Sequence, residues 1–412
     1  MDLPSDLLAF INKSPTPFHA VKTCRTILLK QGFEELKEED NWIIDDNKKY
    51  FLIKGGASIV IINSSNECTL NAKGGRLLVA HTDSPTLKLK QHFSIPHQTA
   101  LYLDVNTYAS PLISTWLDRP LALAGQVFVE EAKGIRHCLV DSIHPSCTIP
   151  SFPIGLHQHR KPDQALEHLV ALSYHANPDN WFKDTFQIPH TVVHHNVSLY
   201  PVADPSTQNP TTPYLTSARL DNLISCYAAV LAAIHSDAKS PLVVALFDKE
   251  EVGNKGYNGC ASPWLSNTLK RMWRSRAHYH QVLARSIALS LDTVQASQPD
   301  LDAYLNPDHA PSLGNGIVMK VSESNRYCND PEALNLFLNW SHEANIRYQV
   351  YAAKLNQSSG STLGPLLATT LGIPCIDVGI PILAMHASQE IAHQEDFHHY
   401  VQLAQQFSYV NH

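Results

Sequence analysis

The sequence predicts an α/β protein with an open, mostly parallel sheet, interrupted by a β-rich insert. Three observations predict it. Apolar runs of strand length alternate with segments of helical periodicity towards both ends of the chain. From about Gln91 to Pro213 the texture changes to short β-like runs, many prolines and many histidines. Outside that stretch, apolar runs stop at histidines or acids, and the carboxyl ends of parallel strands are where such sheets bind ligands. At 412 residues the chain is long enough for one large α/β domain plus an insert.

Taken in order, Leu7 to Leu29 is helical in character and broken at Ser14-Pro15-Thr16-Pro17, because proline cannot donate an intrahelical hydrogen bond. Tyr50 to Ile62 reads as a hairpin pivoting on Gly55-Gly56. Arg76 to Ala80 is a short apolar run ending at His81-Thr82-Asp83-Ser84-Pro85. Leu101 to Val105 and Leu121 to Val129 are β-like, and helical periodicity returns at Pro162 to Ala176. Leu220, Leu223, Ile224, Tyr227, Leu231 and Ile234 recur at helical spacing, predicting a helix over Ser217 to His235 that begins near Asp221. Strands are expected at Leu242 to Phe247, Ser286 to Leu291 and Pro374 to Val378. The division that follows is 1–91 with 213–412 around an insert at 92–212.

Composition narrows the function. The net charge is −7, the sequence pI is near 6.3 and no basic block is present, which argues against nucleic acid as a partner. The acidic start MDLPSDLLAF and the absence of any apolar run near about 18 residues predict a cytoplasmic protein with no membrane partner. Eight scattered cysteines without a C-x-x-C pair suit buried thiols in a reducing compartment rather than a thiolate metal site. Among 23 histidines, the groups His157-Gln158-His159, His194-His195 and His398-His399 are read as exposed loop. No phosphate-cradling loop and no G-x-S-x-G elbow occurs.

Three apolar runs end in metal-competent side chains: His81, the pair Glu250-Glu251, and Asp292. A fourth leads through a loop to His386, and Asp221 stands at a helix start. Two histidines with three or four carboxylates suit two divalent ions, Zn²⁺, Mn²⁺ or Co²⁺, with one carboxylate bridging them to activate a water. Neighbours on extended backbone point in different directions, so one glutamate of the pair is expected to ligate metal while the other holds the attacking water. Spacing leaves open which does which.

The motifs SPTPFHAV (Ser14 to Val21), AHTDSP (Ala80 to Pro85), SARLDNL (Ser217 to Leu223), DKEEVG (Asp248 to Gly253), SGSTLGP (Ser359 to Pro365) and LAMHASQE (Leu383 to Glu390) occur in that order. Together they resemble the aspartyl aminopeptidase family of di-zinc exopeptidases, over a span from near residue 8 to near residue 400. The resemblance implies a mixed-sheet di-zinc exopeptidase domain with an inserted dimerisation or lid domain, and assembly into a tetrahedral dodecamer. It implies two ions, most simply Zn²⁺, with His81 and Asp292 on one, Glu251 and His386 on the other, and Asp221 bridging. Glu250 becomes the general base and Asp83 the carboxylate that fixes the His81 imidazole. Lys320 and Tyr327, with Gly360 and Ser361 of the SGSTLGP motif, are implied substrate contacts for peptides with N-terminal Asp or Glu. The chain departs from the family pattern at Gly155, where a histidine entering a neighbouring active site is usual, and at Gln295 and Gln298, where two more histidines are usual. A di-metal hydrolase of shifted specificity and a weakly active assembly or binding protein are the alternatives.

Overall fold

In a computed structural model, described for residues 2–64, 74–153, 155, 169–202, 212–236, 241–273, 275–301, 304–354 and 360–409, the chain forms two sheets. The larger sheet carries, in spatial order, Glu34–Glu35, Lys49–Lys54, Ser58–Asn63, Leu242–Phe247, Arg76–His81, Ile287–Gln295, Cys375–Leu383, Ile317–Val321 and Tyr348–Ala352. Its four central strands, from Leu242–Phe247 to Cys375–Leu383, are mutually parallel. Antiparallel pairings flank them on both sides, so the sheet is mixed.

Ser58–Asn63, Arg76–His81 and Leu242–Phe247 are buried at every residue. That pattern belongs to strands covered on both faces. One face packs on the helices Leu220–His235 and Gln394–Tyr409 through Leu223, Leu231, Phe397 and Phe407; the other packs on Trp264–Met272 and Leu363–Leu371 through Trp264, Leu269 and Leu367. Register aligns the carboxyl ends of the central strands: Phe247 pairs with His81, and Asp292 with Gly379.

The second sheet is a closed, barrel-like ring. Val192–Pro201, Thr86–His97, Ala100–Tyr108, Leu169–Ser173, Cys147–Thr148 and Leu121–Glu131 pair in turn, and the last pairs again with the first. Cys147–Thr148 meets Leu121–Glu131 only at Leu121, and Gly134–Asp141 pairs with Ala124 to Glu131 of that strand.

Several local expectations need correction. Leu169–Ser173 is a strand and not part of a helix: Leu169, Ala171 and Ser173 are buried while Val170 and Leu172 are half-buried, a period of two. Of the rest of the expected helix, 174–176 is irregular and 162–168 lies outside the described residues. The helix expected from Ser217 starts at Leu220, because Ser217 ends the strand Tyr214–Ser217. Asp221 and Asn222 are non-helical, and the peptide between them is cis. Ile287–Gln295 continues past Leu291, which places Asp292 inside a strand. His194 and His195 lie on the strand Val192–Pro201, not in an exposed loop. His195 packs beside Phe93 and Phe182, and burial pushes its imidazole down to about 4. His398 and His399 lie on the helix Gln394–Tyr409, and His157-Gln158-His159 lies outside the described residues. Seven described cysteines are free thiols, and no described helix is long and apolar enough to cross a membrane.

Candidate metal centre

Five ligand-type side chains meet at the carboxyl edge of the central strands. His81 Nε2 lies 3.5 Å from Asp221 Oδ1 and 3.4 Å from Asp292 Oδ1. His386 Nε2 lies 3.4 Å from both Asp221 Oδ2 and Glu251 Oε1. Asp221 thus turns one oxygen to each of two groups, His81–Asp221–Asp292 and Asp221–Glu251–His386, whose ligand atoms lie within 4.8 Å of one another. Imidazole nitrogen and carboxylate oxygen are the donor set divalent zinc takes. Asp221 Oδ1 is buried and accepts no hydrogen bond, an unfilled acceptor facing His81. These observations fit a pair of bound cations.

The electrostatics point the same way. Asp83, Asp221, Glu250, Glu251 and Asp292 crowd a site where buried charge is costly unless compensated. Burial pushes Glu250 up to about 8; His81 opposes this, while Asp292, Glu251 and Asp83 reinforce it. For His386 burial acts downward, but Asp221 and Glu251 outweigh it and raise the imidazole to about 11.

Local structure explains how each group is held. The glutamate pair does not lie on extended backbone, as expected, but on the single 3-10 turn Glu250–Val252. That turn is entered through Lys249 (φ 72°) and left through Gly253 (φ 90°). Glu251 supplies the oxygen in the second group, whereas Glu250 belongs to neither. The turn is fixed by Asp83, which is fully buried. Its carboxylate accepts the amides of Glu250 (3.1 Å) and Glu251 (3.2 Å) and the hydroxyl of Tyr108 (2.8 Å). The His81 ring is reached by the Asp83 main-chain carbonyl, 3.0 Å from Nδ1, more closely than by the carboxylate at 3.6 Å. Lys320, 3% exposed, donates to Asp292 Oδ2 at 2.9 Å. Burial alone would lower its ammonium, but Asp292 outweighs that and raises it.

The ligands line a cleft of about 270 Å³. Its walls include Glu250, Lys320, Tyr327, Gly360 and Ser361, so the structure brings the expected base and substrate contacts to the same space, together with Gln295. Gln298 is half-buried and not among the cleft's lining, and Gly155 is exposed, with open space around an added Cβ. Two groups escaped the sequence reading. Tyr108 comes from the second sheet, in the stretch Thr107 to Pro120, where the chain lacks the glycines the family usually has, and no role was expected of it. Glu390 closes the LAMHASQE motif and accepts the amides of Asp221 and His386. Its signals were its place in that motif and its position four residues after His386, and neither marks it as an acceptor of amides.

A family model described as aminopeptidase I zinc metalloprotease (M18) matches residues 10–408. A probable M18 family aminopeptidase 2 of Pseudomonas savastanoi pv. phaseolicola (strain 1448A / Race 6) is 29% identical over 425 residues, covering 100% of this chain and 99% of that protein. The structure of the Ape4 and Nbr1 complex superposes with a TM-score of 0.90 at 26% identity, covering 98% of this chain and 85% of the other. The S. cerevesiae mApe1 dodecamer gives 0.83 at 23% identity, covering 98% and 96%, a likeness of fold. With the family match running over nearly its whole length, the chain belongs to the M18 family of aminopeptidase I zinc metalloproteases.

Proposed function

We propose that this metalloaminopeptidase holds two divalent ions, Zn²⁺ before Mn²⁺ or Co²⁺, and releases N-terminal aspartate or glutamate from peptides. The observation that carries the two-ion reading is Asp221, whose two oxygens each face a separate histidine–carboxylate pair. His81, Asp292 and Asp221 Oδ1 would hold one ion, and Glu251, His386 and Asp221 Oδ2 the other. Bound ions of this kind lower the pKa of a water and polarise a carbonyl. Glu250 stands beside both groups but in neither, which suits it to accept a proton in the cleft and return it to the leaving amine. Asp83 holds the Glu250–Glu251 turn, and Lys320 orients Asp292.

Acidic preference is supported by Lys320 on the cleft wall, near Tyr327, Gly360 and Ser361. An ammonium has three donors and Asp292 takes one, which leaves donors for a substrate carboxylate. The same pairing favours a second reading, shifted specificity, because a lysine committed to Asp292 recognises an acid less strongly. We also propose a homo-oligomer, with 92–212 as the dimerisation or lid region in a cytoplasmic protein; the dodecameric likeness of fold supports the assembly.

The test is metal content with hydrolysis of Asp-, Glu-, Leu- and Lys-anilides, alongside solution mass. Two ions per chain and a preference for Asp and Glu are expected. Fewer ions overturn the two-ion site, Leu preference supports shifted specificity, and metal without hydrolysis supports a binding or assembly role.

A further inference from the structure

Glu390 is a buried carboxylate, 2% exposed, to which the chemistry above gives no part. It opens the strand Glu390–His393, pairs in register with Ser217, and so lies across from the segment leading to Asp221. Its oxygens accept two main-chain amides: Oε2 takes Asp221 N at 3.0 Å, and Oε1 takes His386 N at 2.8 Å. Neither ligand sits in regular backbone that would hold it otherwise. Asp221 is non-helical at the head of its helix, and His386 has φ 66° in the connection between two strands.

From this geometry we propose that Glu390 is a positioning residue that sets the Asp221–His386 pair, and so tunes one metal position more than the other. The inference rests on the two-ion reading. Glu390 holds two of the three ligands in the Asp221–Glu251–His386 group but only one, Asp221, in the His81–Asp221–Asp292 group. A carboxylate can accept both amides at once, one on each oxygen. A glutamine in its place keeps one acceptor and turns an NH₂ donor towards the other amide, so one ligand is pushed out of place without a change in volume. Asp83 acts in the same way on Glu250 and Glu251, which makes the amide-holding carboxylate a repeated device around this site. Groups that orient metal ligands in this manner typically govern affinity by about 10- to 100-fold.

The experiment titrates full-length protein with Zn²⁺ against a competing chelator, for the parent, Glu390→Gln and His386→Ala. The histidine variant assigns which binding step belongs to the Glu251–His386 position. For Glu390→Gln that step should weaken by about 10- to 100-fold, with a clearly smaller change in the other. Equal weakening of both steps, as a general loosening of the fold would give, overturns the inference, as does no change in either. If the glutamine variant does not fold, Glu390→Asp, which keeps the charge but is one methylene short of spanning both amides, carries the same expectation. A parent that binds fewer than two ions overturns the two-ion reading and this inference with it, a result distinct from equal weakening.

Discussion

Replacing Lys320 with leucine removes an ammonium 2.9 Å from Asp292 Oδ2, in a pair whose side chains are 3% and 18% exposed. Solvent screens such a pair little. Truncating one partner of a buried, hydrogen-bonded charge pair costs about 2–5 kcal/mol, much of it the penalty on the charge left behind. Two separate losses are expected. One is independent of substrate, because Asp292 loses its orienting donor; the other applies only to substrates whose carboxylate would meet the ammonium. At about 1.4 kcal/mol per factor of ten, kcat/KM for Asp-anilide should fall by about 30- to 1,000-fold, corresponding to about 2–4 kcal/mol. Leu-anilide should suffer only the shared part, so the Asp-to-Leu preference should shrink by about tenfold or more. The assay is steady-state hydrolysis of Asp-, Glu- and Leu-anilides at saturating Zn²⁺, with metal content measured on the same samples. A fall that is equal for all three substrates would refute acid recognition by Lys320 and leave it as a partner of Asp292 alone.

Other expectations follow from neighbouring contacts. Glu250→Gln should lose turnover and keep both ions, while Glu251→Gln should lose metal; equal metal loss in the two variants, read by elemental analysis, would overturn the assigned roles. Tyr108→Phe removes the 2.8 Å hydroxyl on Asp83, a hydrogen bond to a charged group worth about 1.5–3 kcal/mol. It should lower kcat by about 10- to 100-fold with little change in KM, and an unchanged kcat would mean that the second sheet does not help hold the Glu250 turn. His19 is pushed down to about 4, first by burial and against the pull of Asp141, so it folds as the neutral imidazole. Its folded pKa lies below the unfolded value of 6.5, so its contribution is complete above pH 6.5 and is lost as pH falls towards 4. Between pH 7 and pH 5 the loss is about 2 kcal/mol, and the parent should converge with His19→Gln in urea unfolding over that range.

The amino-acid sequence by itself determined the residue types of the site and their places at the ends of apolar runs. Both are local properties: a fully apolar strand such as Leu242–Phe247 reads as buried, and a polar residue at its end reads as the rim. The parallel register of the central strands then brings those ends together, although His81 and His386 stand far apart in the chain. Residue spacing left open which glutamate joins the ligand group; the motif resemblance implied Glu251, and the fold places Glu251 there. The expectation of extended backbone failed because Asp83, from another strand end, binds the two amides and curls Glu250–Val252 into a turn. The two-sided presentation of Asp221 likewise depends on a non-helical helix start that Glu390 holds through an amide. Every residue except proline carries a main-chain N–H, so a carboxylate that acts on amides leaves no side-chain pattern to read, and Asp83 and Glu390 could be understood only in three dimensions. The strand Leu169–Ser173 shows the same limit in the fold: five residues with small and apolar side chains fit either period, and pairing with Ala100–Tyr108 and Cys147–Thr148 settled it as strand.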